Sequence, residues 1–177
     1  GTIAGTVGGF GTVCSGTNSS VLMLSGQNGD VVNWEASTDA GFGSVTVINQ
    51  QTPTLSVSGL TTSTYYRAVV RSGTCTPATT AGAAIIVNPP SNGGTVSGAA
   101  TVCAGTNSGI LTVSGQVGTV VRWELSTDSF ANTTTVSNMS TSLNWSNLIT
   151  TTCYKAVVQN GSCAEAESAP VCITVDA

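Results

Sequence analysis

The sequence has no histidine and a single lysine among its 177 residues. Without an imidazole there is no Ser-His-Asp or Cys-His nucleophile system. The same gap weakens any metal site, because none of the six cysteines forms a C-x-x-C pair and no histidine can join them. Charged residues make up only 7% of the chain, against about 25% in ordinary domains. The four bases, Arg67, Arg71, Arg122 and Lys155, are dispersed, and the net charge is −4. They form no patch that could track phosphates, which argues against nucleic acid and against an anionic membrane surface as partners. No apolar run approaches the ~20 residues needed to cross a bilayer, so membrane insertion is not expected. Calcium needs several converging oxygen ligands, and Asp30, Asp39 and Asp128 are isolated. At most a weak site at a domain junction remains open.

What fills the chain instead is Thr, Ser, Gly, Val and Asn, with 40% hydrophobic residues overall. Thr and Val suit a pleated surface, while Gly, Asn and Ser suit turns. This is a strand-and-turn composition. The chain opens Gly1-Thr2-Ile3, with no initiator Met and no leader-like segment. That opening reads as a segment cut from a larger protein.

An internal repeat is the strongest signal. Thr12-Val13-Cys14-Ser15-Gly16-Thr17-Asn18-Ser19 aligns with Thr101-Val102-Cys103-Ala104-Gly105-Thr106-Asn107-Ser108. Val32-Asn33-Trp34-Glu35-Ala36-Ser37-Thr38-Asp39 aligns with Val121-Arg122-Trp123-Glu124-Leu125-Ser126-Thr127-Asp128. Tyr66-Arg67-Ala68-Val69-Val70 aligns with Tyr154-Lys155-Ala156-Val157-Val158, and Gly73-Thr74-Cys75 with Gly161-Ser162-Cys163. The joint lies in Val87-Asn88-Pro89-Pro90-Ser91-Asn92-Gly93-Gly94, where prolines and glycines end a strand. The expected domains are 1–90 and 91–177. Gly5-Thr6-Val7 resembles Gly94-Thr95-Val96, so the opening residues read as a joint from a preceding repeat in a longer array.

Period-two alternation places the strands. Leu22 and Leu24 share a face, as do Leu111 and Val113. Val32, Trp34 and Ala36, with counterparts Val121, Trp123 and Leu125, are expected on the inner face of the next strand. Leu55 and Val57 (Leu143 and Trp145) lead into another. Tyr66, Ala68 and Val70 (Tyr154, Ala156 and Val158) point inward, which turns Arg67 and Lys155 outward. A last strand holds Ile86 or Ile173. Trp34 and Trp123 each sit on an early central strand of their repeat. Leu60 precedes Tyr66, and Leu148 precedes Tyr154, with the spacing of a tyrosine corner, in which the hydroxyl bonds upstream backbone. These features predict an all-β chain of two tandem immunoglobulin-like or fibronectin type III-like β-sandwiches.

Six regularly placed cysteines in a small β protein favour disulfides and an oxidising compartment. The simplest pairing is Cys14–Cys75 and Cys103–Cys163, one per repeat. Cys153 and Cys172 are then left to face each other across the final hairpin. Repeat one has Tyr65 and Ala84 at the corresponding positions.

Candidate chemistry is sparse. Glu35 with Asp39, and Glu124 with Asp128, are the possible carboxylate pairs. The simpler expectation is that the aspartates cap turns and the glutamates pair with Arg67 and Lys155. N-x-S/T sequons at Asn18, Asn132, Asn138 and Asn144 matter only in a eukaryotic secretory host. Tyr65, pointing away from its inward neighbour Tyr66, is the best exposed aromatic for stacking on a sugar ring. Phe10, Phe42 and Phe130 fall in loops. No catalytic residue, cofactor site or metal ligand emerges.

The patterns T-V-C-x-G-T-N-S, V-V-x-W-E-x-S-T-D and Y-[RK]-A-V-V-x-x-G-x-C resemble the Ig-like repeats of giant secreted surface adhesins of Bacteroidetes, in particular the SprB-like mobile adhesins of gliding flavobacteria. The resemblance covers both repeats. Repeat one departs from it at Asp39-Ala40-Gly41-Phe42-Gly43, and repeat two carries two additional cysteines. The resemblance implies type IX secretion, attachment at the outer surface, and movement by the gliding and secretion machinery through the parent protein. It implies adhesion to a polysaccharide or substratum, and offers no catalytic residues. The leading expectation is a non-enzymatic, disulfide-stapled filament segment that neighbours other repeats of its own chain. A carbohydrate-binding module and an accessory domain of a secreted hydrolase are the alternatives.

Overall fold

The computed structural model describes residues 1–176. It contains two compact units, Gly1–Pro89 and Pro90–Ala177, and each is an all-β sandwich. Unit 1 has nine strands: β1 (Thr6–Gly8), β2 (Gly11–Cys14), β3 (Ser19–Ser25), β4 (Asp30–Ser37), β5 (Thr46–Ile48), β6 (Thr54–Ser58), β7 (Thr64–Arg71), β8 (Ala78–Thr79) and β9 (Ala83–Asn88). One sheet has the order β1-β3-β6. The other has the order β2-β9-β7-β4-β5, with β8 added to β7. All pairings are antiparallel except β2 with β9, which run parallel from Gly11↔Ile85 to Cys14↔Asn88.

Unit 2 repeats this plan with β10 (Thr95–Ser97), β11 (Ala100–Cys103), β12 (Ser108–Ser114), β13 (Thr119–Ser126), β14 (Thr134–Val136), β15 (Ser142–Ser146), β16 (Thr152–Gln159), β17 (Ala166–Glu167) and β18 (Val171–Asp176). Its sheets are β10-β12-β15 and β11-β18-β16-β13-β14, with β17 on β16.

Each core lies between the two sheets. In unit 1, Leu22, Leu24 and Leu55 from the small sheet meet Val31, Trp34, Tyr66, Ala68, Val70 and Ile85 from the large one. In unit 2, Leu111, Val113, Leu143 and Trp145 meet Val120, Trp123, Tyr154, Ala156, Val158 and Ile173. Burial of these alternating side chains is the main force holding the sheets together.

Three expectations from the sequence need correction. Val32 is not an inner residue: Val31 is 6% exposed and Val32 is 37% exposed. A β-bulge between Val31 and Asn33 adds one residue to β4, so strict alternation fails there. Unit 2 has the same irregularity between Val120 and Arg122. In the last strand of unit 1 the core residue is Ile85, fully buried, while Ile86 is 40% exposed. Finally, the tyrosine corner does not form. The Leu60 amide and carbonyl are bonded by the Asn18 side chain instead, and the Tyr66 hydroxyl meets the Thr64 side chain.

Besides the exchange of Leu24 for Val113, the two cores differ at one cross-strand pair between β3 and β6, and β12 and β15. Ser20 opposes Val57 in unit 1, and Gly109 opposes Trp145 in unit 2. A Cβ at Gly109 would lie 2.4 Å from the Trp145 ring. The glycine is therefore the space that the larger indole requires. Trp145 Nε1 is buried without a hydrogen-bond partner among the described residues, so nothing polar ties the ring in place. Gly109→Ala should lower the stability of unit 2 by ~1–3 kcal/mol through overpacking. In a Trp145→Val background the same change should be nearly neutral. Urea unfolding of the four variants checks this, and an equal penalty in both backgrounds would exclude Trp145 as the clash.

Candidate functional site

The outer face of the large sheet carries the charge. In β4 and β7, Glu35 stands opposite Arg67, and Arg67 Nε is 2.6 Å from Glu35 Oε2. The Arg67 guanidinium also lies over the Phe42 ring, 4.3 Å from its centroid. Phe42 belongs to the β4–β5 loop, whose shape is set by Asp39. Its carboxylate accepts hydrogen bonds from the backbone amides of Gly41 and Gly43 at 3.1 and 2.9 Å. Those bonds favour the ionised form and lower the Asp39 pKa.

Unit 2 extends the same arrangement. Glu124 stands opposite Lys155 and bonds both Lys155, at 3.3 Å, and Arg122, at 2.9 Å. Arg122 reaches Glu165 at 2.9 Å and Lys155 reaches Glu167 at 2.7 Å. Lys155 lies over Phe130, 4.6 Å from the ring centroid. Burial opposes ionisation of Glu124, yet its hydrogen bonds and charge contacts with Arg122 and Lys155 outweigh this and lower its pKa. Asp128 is held down to about 2, mainly by the Asn132 amide and the Ser126 hydroxyl. A glycosidase needs one carboxylic acid raised toward neutrality. Glu124 and Asp128 move the other way, and Asp39 with them.

The cysteines depart from the expected pairing. Cys153 and Cys172 face each other directly across β16 and β18 and are disulfide-bonded. Cys14 and Cys163 each take part in a disulfide. Cys75 and Cys103, however, are free and exposed, so neither Cys14–Cys75 nor Cys103–Cys163 exists. The topology explains why. Cys14 is level with Asn88 at the end of β9, beyond the start of β7, since Thr64 is level with Ile85. Cys75 lies past the other end of β7, in a turn closed by its own amide and the Ser72 carbonyl. Eight strand residues separate the two levels, or about 26 Å at ~3.3 Å per residue. A disulfide requires Cα atoms within ~7 Å. In unit 2, Cys103 is level with Asp176 and Cys163 follows the far end of β16, so the same bar applies.

Tyr65 is partly exposed on β7, opposite Ser37 and Ala84. Nearby, a shallow cleft of about 200 Å³ is lined by Ala36, Ser37, Thr38, Ser44, Thr46 and Thr64. Phe42 and Phe130 lie over the basic side chains, and Phe10 is 62% exposed. Among the described residues no group of three or more His, Cys, Asp or Glu could hold a metal ion, and no helix is long and apolar enough to cross a membrane.

The model of a family described as a domain of unknown function, DUF8696, matches this chain twice, over residues 3–89 and 92–177. The chain belongs to the DUF8696 family. No curated protein matches it. Among solved structures, one chain from a mouse coronavirus receptor-binding domain complexed with its murine receptor is similar at a TM-score of 0.57 and 11% identity, over 93% of this chain and 96% of that one. A marsupial T cell receptor is similar at 0.55 and 14% identity, over 96% of this chain and 72% of that one. At these identities the likeness is one of fold. The two DUF8696 units are Ig-like sandwiches, and their disulfides fit a module of an oxidising, extracellular environment.

One repeated feature of the DUF8696 units was not recognised from the sequence alone. Asn18 donates to the Cys14 and Leu60 carbonyls, both at 2.7 Å, and accepts from the Leu60 amide at 2.9 Å. Asn107 does the same with Cys103 and Leu148, at 2.8 Å in every case. The Thr-Asn-Ser motif is thus a bracket joining β2 to the β6–β7 connection, and β11 to the β15–β16 connection. The signal available was its recurrence beside a cysteine, which reads equally well as a turn. At ~1 kcal/mol per net hydrogen bond, Asn18→Ala or Asn107→Ala should cost its unit about 2–3 kcal/mol. Chemical denaturation checks this, and a loss below the noise would mean that water replaces the bracket.

Asp128 gives a pH prediction. Its folded pKa lies below its ordinary value of 3.8, at about 2. Its contribution is therefore present above pH 3.8 and is lost as pH falls through 2. The urea midpoint of unit 2 should fall across this window, and Asp128→Asn should flatten that part of the profile. The effect is small, because the carboxylate is exposed.

Proposed function

We propose that this chain is a load-bearing segment of an extracellular repeat protein, a filamentous surface adhesin of the SprB-like gliding class. The supporting observation is where the chain enters and leaves each unit. In unit 1, Ile3 bridges Asn28 and Thr2 Oγ1 accepts from the Ser72 amide, so the chain enters beside the β3–β4 and β7–β8 turns. It leaves at Asn88, level with Cys14, at the opposite end. In unit 2, Asn92 bridges Val117 and Ser91 Oγ accepts from the Asn160 amide, while β18 ends level with Cys103.

Tension on such a unit pulls its entry and exit apart along the strands. The parallel pair β2–β9 must then slide, and its hydrogen bonds share the load rather than opening one by one. The role of the units is spacing and mechanical resistance, without catalysis. The resemblance of the repeat motifs to gliding adhesins supports the wider setting of type IX export, cell-surface attachment and contact with polysaccharide or substratum. A carbohydrate-binding role for these units has less support, because Tyr65 has no aromatic counterpart in unit 2.

Single-molecule pulling of the whole chain in reducing buffer tests the reading. Val13→Pro removes an amide from the middle of β2, and Val13→Ala keeps it. Val13→Pro should lower the unfolding force of unit 1 well below that of Val13→Ala, with unit 2 as internal reference. Equal forces for the two variants would show that load does not run through β2–β9.

A further inference from the structure

Cys75 and Cys103 are exposed thiols, yet their positions in the repeat are disulfide-forming positions. The counterpart of Cys75 is Cys163 and that of Cys103 is Cys14, and both counterparts are disulfide-bonded. The local folds match: Cys14 and Cys103 each end a strand parallel to the last strand. Cys75 and Cys163 each sit in a turn closed by an amide-to-carbonyl bond of 3.0 Å, to Ser72 and to Asn160. Neither free thiol can be satisfied within its own unit, because the cysteine positions of a unit lie at opposite ends. Cys75 marks the end at which the chain enters unit 1, and Cys103 the end at which it leaves unit 2.

We propose that these thiols are covalent coupling points, with Cys103 of one copy oxidised to Cys75 of a second copy. The partner is therefore another DUF8696 repeat of the same design, joined end to end. The oxidant is a small disulfide such as oxidised glutathione. The Cys103 thiolate attacks it, releasing one small thiol and forming a mixed disulfide. The Cys75 thiolate of the second copy then attacks the Cys103 sulfur and releases the second small thiol. Two protein thiols and one small disulfide become one protein disulfide and two small thiols.

This inference goes beyond the load-bearing reading, and pulling in reducing buffer gives its answer whichever way the coupling falls. The test uses the whole chain, concentrated in a glutathione redox buffer and followed by non-reducing electrophoresis and disulfide mapping. The wild type should form a reductant-sensitive ladder of chain multiples, with Cys153–Cys172 intact. Cys75→Ser and Cys103→Ser should each remain monomeric alone. Mixed together they should stop at a dimer whose mapped bond joins Cys75 to Cys103. A wild type that stays monomeric would overturn the proposal. So would single variants that dimerise through like cysteines as fast as the mixture does.

Discussion

Each unit closes around the indole carried by its β4 or β13 strand. Trp34 and Trp123 are both fully buried, and each spans the gap between the sheets. The ring fills the core from the large sheet, and its Nε1 donates to a carbonyl just ahead of the facing small-sheet strand, Thr52 or Ser140, at 3.0 Å in both cases. A large apolar body with one polar tip can do both jobs, whereas an aliphatic side chain could only fill space. Once the indole must face inward, the register of β4 against β7 follows, and Glu35 and Arg67 are turned to solvent as a pair. The bulge before the Trp follows as well. It allows Val31 and Trp34, three positions apart, to share the core face.

The alternation made most of the fold legible. Leu22, Leu24, Tyr66, Ala68 and Val70 declare one face each, and repetition of the pattern in unit 2 removes the ambiguity of short apolar runs. What failed was the arithmetic of single residues. Counting back from Trp34 by twos selects Val32, because a bulge leaves no mark in a pattern of valines. Choosing between Ile85 and Ile86 fails for the same reason: two adjacent isoleucines carry no phase. The Leu60–Tyr66 spacing was read as a hydroxyl-to-backbone bond, but an asparagine amide offers a donor and an acceptor together, and Asn18 satisfies both backbone groups of Leu60.

The cysteines were misread for a topological reason. Two cysteines in one repeat invite a bond inside that repeat, and sequence separation says nothing about which end of a sandwich a residue occupies. The parallel pairing of β2 with β9 decides it. Had the first strand run antiparallel to the last, Cys14 would lie toward the Cys75 end of the unit. By contrast, Cys153 and Cys172 flank a hairpin, where antiparallel pairing places residues opposite each other, so that bond could be read from the sequence.

Comparison of the units separates scaffold from decoration. The indole clamp, the asparagine bracket, the glutamate–base pair under an aromatic ring, and the cysteine at each end occur in both. Tyr65, Trp145 and the Cys153–Cys172 bond occur in one only, and the last of these occupies the position of Tyr65 and Ala84. A feature that binds a ligand in every repeat would have to be among the shared set. Within that set the aspartate and glutamate carboxylates are committed to loop amides and ion pairs, and the aromatic rings to cores or cations. The shared features left at the ends are backbone turns and the cysteine positions, of which Cys75 in unit 1 and Cys103 in unit 2 are exposed thiols. The proposed end-to-end coupling draws on those end positions and asks nothing of the faces of the sheets.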